Sequence, residues 1–86
     1  MQCLVLYDIS DDRARQRIAD ICLDYGLARI QFSAFSGVLT RTQQRALFTE
    51  ITQRLGKRDG DVQLIAMETA VWQARRSIVQ REDAHD

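Results

Sequence analysis

Residues 2–26 read QCLVLYDISDDRARQRIADICLDYG, and a change of hydrophobic period within them decides the fold. Residues 2–7 are a short apolar run rich in strand formers, so they are read as a β-strand ending at Asp8. Along a strand Cys3, Val5 and Tyr7 point to one face, and Leu4 and Leu6 to the other. Past the turn-prone Ser10, Asp11 and Asp12, apolar residues recur as Ala14, Ile18, Ile21, Cys22 and Tyr25. That is the 3.6-residue period of an amphipathic helix, expected over residues 11–25. Ser10 is the expected N-cap, Asp11 and Asp12 then complement the helix dipole in the first turn, and Gly26 is the C-terminal stop.

Outward from this unit, residues 28–39 (ARIQFSAFSGVL) are β-branched and aromatic but too long for one ordinary strand. They are read as a hairpin turning near Phe32 and Ser33, with Gly37 as a bulge or a close backbone approach. Thr40 and Gln43 form a capping box, followed by an apolar stripe of Leu47, Phe48, Ile51 and Leu55 that stops at Gly56. Residues 61–67 are a further strand. Residues 68–75 are ambiguous, and residues 76–80 (RSIVQ) are a candidate last strand. The order β-α-β-β-α-β implies an α+β, ferredoxin-like fold, with a candidate extra C-terminal strand. One domain spans residues 1–80, and residues 81–86 form a polar C-terminal tail that contains His85.

The chain has 86 residues, enough for one domain, and 45% of them are hydrophobic, which excludes a disordered chain. No apolar run approaches the roughly 20 residues of a membrane span, and the N-terminus lacks the form of a signal peptide. Cys3 and Cys22 fit no metal-ligand spacing, so they are expected as reduced core thiols of a cytoplasmic protein. Net formal charge is zero, which gives no bulk attraction to nucleic acid. Lys57 is the sole lysine among the 12 basic residues. Arginine's planar fork suits phosphate oxygens, although GC-rich coding also favours it. Because both faces of the first strand are apolar and two helices cover only one, a second copy of the chain is the simplest cover for the other.

The combination of YDISDD at residues 7–12, an arginine-bearing helix at residues 13–17 and GLARIQFSAFSG at residues 26–37 resembles the second CRISPR-associated (Cas) protein family. The similarity is close over about the first 40 residues and continues in pattern to Met67. The resemblance implies a ferredoxin-like fold and a homodimer packed sheet on sheet, often with the C-terminal strand exchanged. It implies a metal-dependent endonuclease that hydrolyses phosphodiesters of single-stranded RNA or double-stranded DNA. It also implies a role in spacer acquisition, bridging CRISPR integrase subunits, in a prokaryotic cytoplasm. The family's catalytic, metal-binding aspartate matches Asp8, and its supporting positions match Tyr7, Arg15, Arg17, Arg29 and Phe35. Ser36 stands where members often carry an acidic or bulky residue, and the segment around Trp72 matches no family pattern.

Magnesium binds through one or two carboxylates plus waters and substrate phosphates. One Asp8 per chain is a poor site, but two meeting across a two-fold axis would share an Mg2+ or another divalent cation. The plainer role of Asp8 is to turn the strand into the helix. Arg13 and Arg17 share an outward helical face, with Arg15 nearer the apolar stripe. They contact phosphate, or they pair with Asp20 and Asp24. Tyr7 and Phe35 suit core or interface packing better than base stacking. Trp72 is either ordinary core or an anchor on a partner subunit. Two alternatives stay open: a non-catalytic DNA-binding scaffold of the integrase complex, and a related small toxin nuclease. A neighbouring CRISPR array would separate the second from the rest.

Overall fold

The structure is a computed structural model, and it describes residues 1–81. Gln2–Ile9 form β1, Asp12–Asp24 form α1, and Ala28–Gln31 and Ala34–Val38 form the hairpin β2 and β3. Arg41–Leu55 form α2, Gly60–Met67 form β4, and Thr69–Gln73 make a short α3. The four strands lie in one antiparallel sheet in the order β2-β3-β1-β4. That is the ferredoxin-like arrangement expected from the period pattern. The smallest extent of the molecule is 19 Å, the thickness of one sheet under one layer of helices.

The core lies between the sheet and α1 and α2. Cys3, Val5, Tyr7 and Ile9 of β1 are buried there with Phe35 of β3, Ile18 and Cys22 of α1, and Leu47 and Ile51 of α2. Leu4 and Leu6 alternate to the opposite face and remain half-buried. α1 and α2 cover one face of the sheet, and the other face, which only the short α3 and the segment after it approach, is open over much of its area. No helix among the described residues is long and apolar enough to cross a membrane.

The local signals act as their chemistry dictates, with three corrections. Thr40 and Gln43 close a reciprocal capping box at the start of α2. Gly26 and Gly56 end α1 and α2 with positive φ of 82° and 58°, a region costly for residues with a Cβ. The N-cap of α1 is Asp11, not Ser10: the Asp11 carboxylate accepts the Ala14 N–H at 2.9 Å, and the helix begins one residue later than expected. Of the two readings open for Gly37, the close approach holds and the bulge does not. A Cβ there would meet Leu27 Cδ2 at 2.7 Å and Leu27 Cα at 3.3 Å. The bulge lies instead in β2, between Arg29 and Gln31.

The third correction concerns the C-terminal segment. Residues 76–81 form no strand within the single chain. After β4 the chain turns through α3 and returns over the open face, where Trp72, Arg75 and Ser77 line a hollow with Ile30 and Gln31 of the far edge strand. That path leads away from the outer edge of β4, the ladder position a further strand would need. Ile78 and Val79 are left 86% and 68% exposed. Of the expected tail, Arg81 is exposed, and the remainder, His85 included, lies outside the described residues.

Candidate functional site

Asp8 is the last residue but one of β1. Its neighbours Tyr7 and Ile9 point into the core, so the alternation of the strand turns Asp8 to the open face, in line with Leu4 and Leu6. It is exposed, and the antiparallel register sets Asp61 of β4 directly opposite. Like charges at such a cross-strand position repel, a cost that a bound cation or a substrate-held ion would relieve. Ser10, Asp59, Gly60 and Asp61 rim a shallow hollow with Asp8. These aspartates do not converge: among the described residues no three acidic, histidine or cysteine side chains gather closely enough to hold an ion. A hydrated divalent ion needs only one or two carboxylates, so the Asp8–Asp61 pair fits as a half-site that substrate phosphates or a second chain would complete.

The arginines of α1 divide by role. Arg15 is fixed: its guanidinium donates to the Ile9 carbonyl at 3.0 Å and pairs with Asp12 one turn earlier in the helix. Arg13 and Arg17 are exposed, one turn apart, and make no ion pair among the described residues. Their expected partner Asp20 instead accepts from Gln16 at 3.1 Å. The pairing that would have made these arginines a merely solvated face is therefore not formed.

Arg29 lies on the exposed edge strand β2, its guanidinium carbon 5.0 Å from the centroid of the Phe35 ring. Phe35 itself is fully buried and stacks on Tyr7 with ring centroids 6.3 Å apart. Tyr7 is 6% exposed and its hydroxyl is buried without a hydrogen-bond partner. Burial pushes the Tyr7 phenol above its usual pKa, and the neighbouring Arg29 cation pulls the other way. Tyr7 and Phe35 thus support the site from beneath and offer no surface to a ligand. Trp72 is half-buried and lines a hollow on the open face with Leu4, Leu6 and Ile30.

Of the residues singled out from sequence, Asp8 lies on the open face, whereas Tyr7, Arg15, Arg29 and Phe35 gather on the helix side at the same end of β1. The backbone joins the two groups, since the Tyr7 N–H donates to the Ser33 carbonyl of the hairpin turn at 3.1 Å. Two residues escaped the sequence reading. In the sequence Asp61 reads only as the start of a strand; pairing the end of the first strand with the start of the last places it beside Asp8. Phe32 was seen only as a turn, yet its ring is 69% exposed and lies 5.5 Å and 6.0 Å from the guanidinium carbons of Arg15 and Arg29. Nothing in linear spacing announces that contact.

A family model described as CRISPR associated protein Cas2 matches residues 1–75. The chain is 59% identical to a protein of Chloroflexus aurantiacus named CRISPR-associated endoribonuclease Cas2 2, over 96% of this chain and 98% of that one. It is 44% identical to a CRISPR-associated endonuclease Cas1/endonuclease Cas2 fusion of Thermoproteus tenax, over 66% of this chain and 20% of the fusion. The fold is similar to the crystal structure of Streptococcus pyogenes Cas2 at pH 6.5, with a TM-score of 0.78 and 20% identity. That match covers 92% of this chain and all of the other.

Proposed function

This chain belongs to the CRISPR-associated Cas2 family, and from that premise we propose that it is a homodimeric, divalent-metal-dependent endonuclease that hydrolyses phosphodiester bonds at Asp8. The observation that carries the reading is the placement of Asp8: exposed, opposite Asp61, at the end of the sheet face that α1 and α2 leave uncovered. Leu4, Leu6, Ile30, Val38 and Ile65 make that face apolar, and Ile30, Val38 and Ile65 are 39–68% exposed. A second copy packed about a two-fold axis would bury them and bring a second Asp8 towards the first.

The outer edge of β4 offers eight residues of ladder that no other described strand occupies. The segment at residues 76–81, with exposed Ile78 and Val79, is suited to pair with that edge on a partner subunit. RNA is the favoured substrate, because the 59% identical relative is named an endoribonuclease.

The geometry supports a division of roles. Asp8 and Asp61 would hold the ion, which supplies charge neutralisation at the phosphate and a water of lowered pKa. Arg13 and Arg17 would neutralise neighbouring phosphates, giving sequence-independent and salt-sensitive binding. Arg15 would fix the start of α1 against the end of β1, the strand that carries Asp8. No histidine is at hand as a base among the described residues, which leaves proton removal to bound water and the carboxylates.

The Cas1/Cas2 fusion of Thermoproteus tenax favours a second reading, in which the dimer holds duplex DNA for a Cas1-type integrase and cleavage is incidental. One experiment separates the two. Labelled single-stranded RNA and duplex DNA are incubated with magnesium and either wild type or Asp8→Ala, after sedimentation has shown both proteins to be dimers. The nuclease reading expects the mutant to lose at least about a hundredfold in rate, the scale of one missing stabiliser of transition-state charge. Equal cleavage by both proteins would remove Asp8 from the mechanism. Salt-sensitive duplex binding without any cleavage would leave the scaffold.

A further inference from the structure

We infer that Phe32, which is exposed beside the guanidinium groups of Arg15 and Arg29 on the turn joining β2 and β3, is a stacking platform for one unpaired nucleotide of a single-stranded substrate. The inference rests on the nucleic-acid reading proposed above, and it adds to that reading the class of strand this end of the molecule prefers.

A tight hairpin turn ordinarily takes Gly, Asn, Asp or Ser, whose chemistry suits the bend. Here the turn carries a phenyl ring that is 69% exposed, while Phe35 is fully buried. The ring is exposed without being free. The Arg15 guanidinium carbon lies 5.5 Å from its centroid and that of Arg29 lies 6.0 Å away. Both arginines are themselves held, Arg15 by the Ile9 carbonyl and Asp12, and Arg29 over the Phe35 ring at 5.0 Å. The β2 bulge contributes to this. It sets Arg29 opposite Phe35 and Gln31 opposite Ala34, which keeps Arg29 on the helix side beside Phe32 and turns Gln31 to the open face.

An apolar ring left largely exposed beside two held cations matches a nucleotide in particular: the base stacks on the exposed part of the ring and an adjoining phosphate meets the guanidinium groups. A duplex keeps its bases stacked on one another, so such a platform selects unpaired nucleotides. Its position suits the proposed chemistry. The turn receives the Tyr7 N–H, and Arg15 donates to the Ile9 carbonyl, so the cluster is tied to the residues on both sides of Asp8. It lies on the helix side of the sheet and stays open to ligand when a second copy covers Leu4 and Leu6.

The test is fluorescence anisotropy on the full-length protein without divalent metal, using a labelled unstructured oligoribonucleotide and a labelled DNA duplex of equal length. Phe32→Ala is expected to weaken the single strand about tenfold and the duplex by no more than about twofold. Phe32→Tyr is expected to restore single-strand binding, and the salt dependence is expected to be the same in all three proteins, because stacking releases no counterions. Undiminished single-strand binding by Phe32→Ala, or equal losses on both ligands, would overturn the inference while wild-type binding upholds the broader reading. Failure of the wild type to bind either ligand would overturn both.

Discussion

Single residues in this chain do two kinds of work, and Asp11 illustrates the structural kind. Its carboxylate accepts the Ala14 N–H and lies 3.5 Å from the Arg58 guanidinium. The Ala14 hydrogen bond is the main reason its pKa falls below the usual 3.8, with the Arg58 cation acting in the same direction. A depressed folded-state pKa stabilises the protein above the unfolded pKa, and that contribution is lost as pH falls through the folded value. Thermal melts should therefore show Asp11→Ala less stable than wild type at neutral pH, with the gap closing as pH falls below about 3.8. A gap of constant size across that range would mean that the charge of the cap plays no part. Asp8 is the other kind of residue. Its side chain makes no hydrogen bond among the described residues and stands exposed opposite the like-charged Asp61, so only its backbone, in the β1–β4 ladder, serves the fold.

At the scale of elements, the sheet is set by where backbones approach one another. Gly37 of β3 pairs with Cys3 of β1 and lets Leu27, itself buried, pack against the strand. A methyl at this position would sit 2.7 Å from the Leu27 side chain and 3.3 Å from its Cα. The side-chain end could rotate away, but the backbone atom could not. Gly37→Ala is expected to destabilise the fold by about 1–3 kcal/mol, read as a lower urea midpoint at unchanged slope. A loss well below that range would show that β3 and the start of β2 slide apart at little cost. The two long helices depend on such strand contacts for their position, whereas their ends are defined locally, by Asp11, by the Thr40–Gln43 box and by the two positive-φ glycines.

At the scale of the whole molecule, two layers leave one sheet face short of cover. Leu4 and Leu6 are half-exposed in the single chain, with Ile65 and Val38 beside them. A carboxylate placed among them would have to lose its hydration in any sheet-on-sheet dimer. Leu6→Asp is therefore expected to yield a folded monomer by sedimentation velocity and circular dichroism, with metal-dependent cleavage lost along with the dimer. A dimeric Leu6→Asp protein would mean that association uses another surface, such as the β4 edge alone.

The sequence by itself determined the elements as far as β4, because periodicity, caps and stop glycines are local. The run QCLVLY alternates, Ala14 to Tyr25 repeats with the helix, and Thr40 and Gln43 close their box three residues apart. It also singled out Asp8 and the arginines, through the motif in which they stand. Only the tertiary structure decided which side chains meet. The sheet order sets Asp61 opposite Asp8, although 53 residues separate them in the chain. The β2 bulge, one residue in excess over its partner strand, keeps Arg29 beside Phe32 and Phe35. The fate of RSIVQ is equally non-local. Its composition permits a strand, but a strand exists only where a free ladder is within reach, and the turn through α3 carries it to the other side of the sheet.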